Sequence, residues 1–167
     1  PDVFTIGFVG TLKPWHGLST LVDAFEILCR EHANVRLLIV GDGRARSSLK
    51  ADLAARGLYH LTCFTGAVNH SEIPALLQSI DVAVAPYDNV PNFYFSPLKI
   101  YEYMAAGLPI VASSAGQLQS IIRHGETGLL CKPGSATSLA NNIAKLMVQQ
   151  SLRRKLGRKA RRYVLQH

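Results

Sequence analysis

Lys99 lies at a position in the sequence where a lysine side chain could bind an anion. It follows the start of a helix predicted in "SPLKIYEYMAAG" (96–107). Ser96 is the predicted N-cap and Pro97 the first helical residue, so the amides of Leu98 and Lys99 lack acceptors within the helix. The helix dipole places partial positive charge at this end, and a lysine adds like charge to like. An anion bound between them removes this conflict.

Glu102 lies one helical turn after Lys99, in an otherwise apolar segment. A carboxylate accepts paired hydroxyl donors, so one turn beyond a phosphate-binding helix end it suits a ribose. The two residues together imply a nucleoside diphosphate. A surface ion pair between them is the alternative, but the long loop "PYDNVPNFYF" before the helix favours a functional site.

A second basic loop, "GTLKPWHG", follows the first predicted strand. Gly10 permits a tight turn there, and Lys13 and His16 supply one certain and one potential positive charge before a helix. A solvated loop is the alternative. Combined with the helix that carries Lys99, this loop would bring amides and cations to two sides of a diphosphate.

The loop "GDGRAR" begins at Gly41 and follows the second predicted strand. It is a Gly-x-Gly turn without the third glycine and the spacing of a dinucleotide fingerprint. A simple tight turn is the alternative. Because no predicted strand is followed by Gly-x-Gly-x-x-Gly, a dinucleotide-dependent oxidoreductase is disfavoured.

Short apolar segments alternate with longer segments of helical periodicity, which is typical of repeated βα units. The predicted strands are residues 3–10, 35–41, 61–66, 81–86, 108–113 and 127–132. The predicted helices are residues 17–32, 45–57, 71–80, 97–107, 137–150 and 151–167, the second and fourth ending in glycine. The sequence therefore predicts one α/β domain over residues 1–167, a Rossmann-like doubly wound parallel sheet of about six strands with helices on both faces. Such sheets bind ligands beyond the carboxyl ends of their strands.

The composition fits one domain with a substantial core, since 48% of the 167 residues are apolar. We recognise neither the long apolar run of a membrane span nor the pattern of a signal peptide in this sequence. Cys29, Cys63 and Cys131 are widely separated in apolar surroundings, which suits neither a disulfide framework nor a Cys-x-x-Cys metal site. We expect reduced core thiols and a cytoplasmic protein.

The net charge of +7 comes entirely from residues 151–167, because residues 1–150 hold 11 Lys and Arg and all 11 Asp and Glu. The terminal segment combines seven cations with apolar residues at near-helical spacing, which predicts a basic amphipathic helix. A solvated helix face is one reading. Contact of residues 152–163 with a membrane surface, giving a peripheral protein, or with an acidic partner is the other. Nucleic acid is not expected as a partner.

Six motifs resemble, in order and spacing, the carboxy-terminal half of the group 1 (family four) glycosyltransferases of GT-B architecture. They are "FVGTLKPWHGLSTLVDAF", "LLIVGDG", "FTGAV", "EIPALLQSIDVAVAPY", "SPLKIYEYMAAGLPIVAS" and "GETGLLCKPG". The resemblance implies one half of a GT-B fold that binds a nucleotide-sugar donor such as a UDP-, GDP- or ADP-sugar. It also implies a retaining hexosyltransferase for polysaccharide, glycolipid or glycoconjugate synthesis. The N-terminal acceptor domain is missing, so we expect the isolated domain to be inactive.

By this resemblance, Lys13, Lys99 and Glu102 are the catalytic residues, with Glu102 on the ribose. The donor-binding residues would be Gly10, Thr11, His16, Gly41, Ala67, Val68, Tyr94, Ser96, Pro97 and Leu98. Gly10, Lys13 and residues 96–99 would hold the diphosphate, and the backbone around Ala67 and Val68 would hold the base.

The sequence departs from the family pattern at the proposed site. Thr11 stands where an arginine is common, His16 where a lysine is common, and Tyr94 in place of the first of two glutamates. The usual "GG.PE" after the fifth strand reads "GQLQS". Lys13 and Lys99 are the expected substitutes, because a diphosphate requires about two cations.

Neither a metal nor a cofactor is expected. The chain has no Asp-x-Asp pair, which agrees with neutralisation of the diphosphate by side chains and amides. The alternative function is a non-catalytic nucleotide-binding module, which the missing acceptor half and Tyr94 favour.

Overall fold

The computed structural model describes residues 2–91 and 96–167. In this part of the chain, six strands form one sheet: Phe4–Val9 (β1), Val35–Val40 (β2), Thr62–Gly66 (β3), Val82–Ala85 (β4), Ile110–Ser113 (β5) and Leu129–Cys131 (β6). Their order is β3-β2-β1-β4-β5-β6, and all neighbouring strands are parallel. The six strands predicted from the sequence are confirmed, with ends that differ by at most two residues.

The strands alternate with helices. These are Leu18–Glu31 (α1), Arg46–Ala55 (α2), Ile73–Gln78 (α3), Leu98–Ala105 (α4), Leu118–Ile121 (α5), Ala136–Val148 (α6) and Gln150–Gln166 (α7). The six predicted helices are confirmed. Helix α5 was not predicted, because a single helical turn is too short for periodicity to reveal. Gly57 and Gly107 have φ of 69° and 71°, which confirms the predicted glycine ends of α2 and α4.

The sheet separates two apolar cores. One contains buried residues of α1, α2 and α6 packed on β1 and β2, including Phe25, Leu53 and Ile143. The other contains buried residues of α3, α4 and α5, including Leu77 and Met104. Helices on both faces bury the central strands, which confirms the doubly wound fold and explains why those strands read as unbroken apolar runs.

The cysteine prediction is partly wrong. Cys131 is buried and Cys29 partly buried, and burial raises the pKa of both thiols to about 11. Cys63 is exposed because it lies on β3, the edge strand of the sheet, where one side of the strand has no covering neighbour.

The direction in which the chain progresses reverses between β1 and β4. The chain proceeds from β1 outward through β2 to β3, and then returns to pair β4 with the other side of β1. Helices α1 and α4, which follow β1 and β4, therefore lie on opposite faces of the sheet, and a crevice opens between the ends of the two strands. The loop that begins at Gly10 and the start of α4 both adjoin this crevice.

Helix α7 packs against α4 through a close backbone approach at Gly157. A Cβ added to Gly157 would overlap the carbonyl oxygen of Gly107. The side chain of Arg161 donates a hydrogen bond of 2.7 Å to the carbonyl of Ala105, at the end of α4. The terminal helix is thus part of the folded domain, with Leu156 and Ala160 buried against it.

We predict that Gly157→Ala lowers the stability of the domain. Helix propensity alone predicts stabilisation by about 1 kcal/mol, whereas the overlap with Gly107 predicts destabilisation by about 1 to 3 kcal/mol. Thermal unfolding checks the sign of the effect. Ser151→Ala, on the exposed side of the same helix, is the matched control and should be nearly neutral. A higher melting temperature for Gly157→Ala would contradict the packing described here.

Candidate functional site

A cavity of about 300 Å³ lies beyond the carboxyl ends of the first three strands. It is lined by Val9, Gly10, Thr11, Val40, Gly41, Asp42, Ala67, Val68 and Ile73. Five residues of the predicted donor-binding set therefore line one cavity: Gly10, Thr11, Gly41, Ala67 and Val68. Asp42 and Ile73 were not predicted. The Gly-x-Gly turn that contains Asp42 was the available signal, whereas nothing in the sequence distinguishes Ile73 from a core residue.

Two glycines allow the loops that line this cavity to approach each other closely. Gly10 and Gly41 have φ of 142° and 125°, a region that side-chain-bearing residues rarely adopt. A Cβ at Gly41 would overlap the carbonyl oxygen of Gly10, so the loops after β1 and β2 touch through their backbones. The amide of Gly10 donates to the carbonyl of Val40 at 2.9 Å. Asp42 brings a carboxylate to the wall, but Arg46 pairs with it at 3.0 Å.

Lys99 directs its amine to the loop after β1. Its Nζ lies 3.9 Å from the ring centroid of Phe8 and 5.3 Å from that of Tyr87. A Cβ at Gly10 would come within 2.7 Å of this Nζ, so the amine lies against the glycine backbone. Nζ is buried and has no hydrogen-bond partner among residues 2–91 and 96–167.

The surroundings of Lys99 change its ionisation. Burial lowers the pKa of this ammonium from its ordinary 10.5 to about 7, and the carboxylate of Glu102 acts in the opposite direction without cancelling this shift. The ring faces of Phe8 and Tyr87 favour the charged form, but they supply no hydrogen-bond acceptor as strong as an oxyanion. A charged, unpaired amine in this environment is one that an anionic ligand would stabilise.

His16 does not provide the potential positive charge that was predicted for it from the sequence. The side chain is 8% exposed, and its ring lies 5.0 Å from that of Tyr87 in an edge-on arrangement. Burial, the positive charge of Lys99 and, to a smaller degree, that of Lys13 lower its pKa from 6.5 to about 4. A backbone hydrogen bond with Thr11 opposes this shift without reversing it. His16 is therefore a neutral imidazole near pH 7.

Lys13 is exposed and lies apart from Gly10. Its Nζ is 5.3 Å from the ring centroid of Trp15, and its side chain lines a surface groove with Arg44 and Ser48. The structure thus brings Lys99, but not Lys13, into contact with the loop glycine. Lys13 reaches the crevice only through its long-range charge, which contributes to the lowered pKa of His16.

Glu102 lines a neighbouring cavity of about 360 Å³ between α3 and α4. Ile73 contributes to both this cavity and the one at Gly10, so the two spaces adjoin. The walls are mainly apolar, and the polar residues that line them are His70, Gln78, Glu102 and Arg161. The structure therefore places Glu102 beside the glycine-lined cavity, one turn of α4 after Lys99.

The start of α4 differs by one residue from the prediction. The helix begins at Leu98 with Pro97 as its N-cap, because the amides of Ile100 and Tyr101 already donate to the carbonyl of Pro97. Ser96 was predicted as the cap, but its Oγ lies 3.4 Å from the Leu98 amide, a long contact that makes it a weak cap.

Tyr94, which replaces the usual first glutamate, lies outside the described residues. Within the described ranges, no three His, Cys, Asp or Glu side chains are grouped as metal ligands would be. The same part of the chain contains no helix with the length and apolarity needed to cross a membrane.

Comparison with known proteins is consistent with this geometry. The profile of the family "Glycosyl transferases group 1" matches residues 1–163. An uncharacterised glycosyltransferase of Methanocaldococcus jannaschii is 32% identical over 165 residues, which cover 98% of this chain and 40% of that protein. The chain thus spans well under half the length of this curated relative.

Two crystal structures are similar to this domain. HepE from Anabaena, solved in complex with UDP and glucose, superposes with a TM-score of 0.87 at 26% identity, over 99% of this chain and 44% of HepE. The C-terminal domain of the group 1 glycosyltransferase LpcC from Francisella tularensis has a TM-score of 0.86 at 22% identity, over 99% of this chain and 86% of that domain. The second shares the fold. By the family profile over nearly its whole length, and by a relative above 30% identity, this chain belongs to the group 1 glycosyltransferases.

Proposed function

We propose that this domain binds the diphosphate of a nucleotide-sugar donor and belongs to a retaining, metal-independent glycosyltransferase. The observation that carries the proposal is the amine of Lys99, which is buried against Gly10 without a hydrogen-bond partner among the described residues. A protein does not bury an unpaired amine without cost. A diphosphate oxygen at this place would be both its counter-ion and its acceptor.

The surrounding groups suit the rest of such a ligand. The α4 N-terminus adds partial positive charge on the side of Lys99. The cavity lined by Gly10, Ala67 and Val68 adjoins the space at Glu102, so a base in the first and ribose hydroxyls at the second are compatible with one nucleotide. The related HepE was crystallised with UDP and with UDP-glucose, which supports a nucleotide-sugar donor.

In this proposal the protein acts on the leaving group. As the bond between the sugar and the diphosphate breaks, the electron pair remains on the diphosphate oxygen, and Lys99 and the α4 amides stabilise the developing charge. Lys13 adds a second, more distant positive charge. The acceptor hydroxyl would form its bond to the sugar from the face that the diphosphate leaves and would pass its proton to the departing diphosphate oxygen. The acceptor would be held by another part of the protein.

We predict that Lys99→Met and Glu102→Gln weaken nucleotide binding in different ways. Calorimetric titration with UDP, GDP and ADP identifies the preferred nucleotide. Lys99→Met should weaken its binding by about tenfold or more, since it removes a charge-assisted contact, but should leave binding of the corresponding nucleoside unchanged. Glu102→Gln should weaken the nucleotide and the nucleoside alike, because both contain the ribose.

Matched controls are Lys132→Met and Glu126→Gln, which remove the same groups at exposed positions. Failure of the wild-type domain to bind any of the three nucleotides would contradict the proposed function. Binding that both site variants preserve would contradict the residue assignment alone.

We predict that nucleotide affinity falls as the pH rises above 7. Lys99 has a pKa of about 7 in the free domain, and a bound diphosphate would raise it, so binding takes up a proton above pH 7. Titrations between pH 7 and 9, where the terminal phosphate is already ionised, should show affinity decreasing by up to about tenfold per pH unit. Lys99→Met should abolish this slope and Lys132→Met should retain it. A wild-type affinity that stays constant over this range would be evidence against a titrating Lys99.

We also propose that α7 contacts an anionic membrane surface. Arg153 donates to the carbonyls of Leu146 and Met147, and Arg161 to that of Ala105, so these two cations serve the fold. The remaining cations of the helix are exposed and, within the described residues, unpaired: Arg154, Lys155, Arg158, Lys159 and Arg162. They occupy one side of α7 without an acidic residue, beside Leu165, which is 70% exposed. Such a face suits anionic headgroups.

We predict that the domain binds vesicles containing about one third phosphatidylserine more tightly than vesicles of phosphatidylcholine alone. Arg158→Glu should weaken co-sedimentation by about tenfold, Lys132→Glu should not, and about 0.5 M salt should release the domain. Equal binding to both vesicle types would contradict a charge-driven contact. Tighter binding to a nucleic-acid duplex than to the anionic vesicles would identify a different partner.

A further inference from the structure

The hydroxyl of Tyr103 lies between the two strands that border the crevice. Tyr103 is fully buried on the inner side of α4. Its Oη accepts a hydrogen bond of 2.9 Å from the amide of Val9, at the end of β1. The same hydroxyl is directed to the carbonyl oxygen of Val84 in β4, at 3.4 Å.

The register of the sheet shows what this hydroxyl replaces. Strands β1 and β4 pair Ile6 with Val82 and Gly7 with Ala83, so the same register would place Ala85 opposite Val9. In a parallel ladder, an amide donates to the carbonyl of the residue before its partner, which for Val9 is Val84.

The other side of β1 follows the same rule. Phe4 pairs with Val35, and its amide donates to the carbonyl of Asn34 at 2.7 Å. The hydroxyl of Tyr103 is therefore inserted into the position of one ladder hydrogen bond. The amide of Val9 and the carbonyl of Val84 each contact the hydroxyl where the regular ladder would join them directly.

This insertion has a consequence for the loop after β1. Two contacts in series, of 2.9 and 3.4 Å, replace one ladder bond and hold the carboxyl ends of β1 and β4 apart. Gly10 directly follows Val9. Lys99 precedes Tyr103 by one turn of α4. Because both residues lie on this one helix, the contact between the Tyr103 hydroxyl and Val9 fixes the glycine loop relative to the amine of Lys99.

We propose that Tyr103 is a positioning residue whose hydroxyl sets the width of the crevice between the Gly10 loop and Lys99. This inference rests on the proposed function, since the width matters for a ligand placed between these two groups. Without the hydroxyl, the strand ends would close by forming the direct ladder bond or would leave the Val9 amide unpaired. Either change displaces Gly10 relative to Lys99, while the ring of Tyr103 can still fill its place in the core.

Tyr103→Phe tests the proposal because it removes only the hydroxyl. Two ligands are compared. One is whichever of UDP, GDP and ADP binds most tightly, and the other is the corresponding nucleoside: uridine, guanosine or adenosine. We expect the diphosphate to lose about tenfold in affinity and the nucleoside to lose less than about twofold, because the nucleoside lacks the phosphates that would have to fit between Gly10 and Lys99. The ratio of the two affinities is the decisive quantity, since a general loss of stability does not alter it selectively.

Ile100→Val is the matched control. Ile100 is 1% exposed on the same helix, and the substitution removes one methyl group without touching the inserted hydroxyl. It should lower thermal stability and leave the affinity ratio unchanged. An unchanged ratio in Tyr103→Phe, or equal losses for both ligands, would overturn the positioning role.

A measurement on the wild-type protein covers the case in which Tyr103→Phe does not fold. A crystal structure should show the Val9 amide nitrogen beyond hydrogen-bond distance of the Val84 carbonyl, with the hydroxyl between them. A direct bond between these backbone groups would overturn the inference. A wild-type domain that binds no nucleotide would instead overturn the proposed function, so the two failures are distinguishable.

Discussion

The buried amine of Lys99 is the constraint on which the arrangement of the crevice depends. An amine on a flexible side chain would ordinarily reach water. Here it is enclosed by the ring of Phe8, the ring of Tyr87 and the backbone at Gly10, and burial lowers its pKa to about 7. Strand β1, the loop after it and α4 must all hold their places for this contact to exist. The apolar cores on the two faces of the sheet supply that rigidity.

The absence of side chains at particular glycines matters as much as the charged group. Gly10 leaves room for the amine, and Gly41 leaves room for the carbonyl of Gly10, so the loops after β1 and β2 meet through their backbones and the side chain of Lys99 reaches them from α4. Backbone amides in such a place are fixed donors that need no reorganisation when an anion arrives. Charge is supplied mainly from one side, by Lys99 and the start of α4, because His16 is neutral and Lys13 lies on the outer groove.

Much of the fold could be predicted from the residues. The six strands and the doubly wound architecture follow from apolar runs and helical periodicity, and the ends of α2 and α4 follow from their glycines, all of which are local signals. Gly10 and Gly41, which follow the first two strands, do line one cavity, because carboxyl ends of parallel strands meet at one edge of the sheet. The resemblance to the family added Ala67 and Val68 as the predicted base site, which no residue type indicated, and both residues line the same cavity. The single turn of α5 and the exposure of Cys63 escaped prediction, since one is too short for periodicity and the other depends on strand order.

The sequence by itself determined which chemical groups stand near the strand ends: an amine, a carboxylate and the small residues that let backbones approach. Only the tertiary structure decided their states. Lys99 became a buried amine and Lys13 an exposed one, although both are lysines in loops or at helix starts. The hydroxyl of Tyr103 entered the ladder between Val9 and Val84, which are far from it along the chain. Burial and hydrogen-bond partners arise from contacts between distant segments, and pKa and position depend on these contacts more than on residue type.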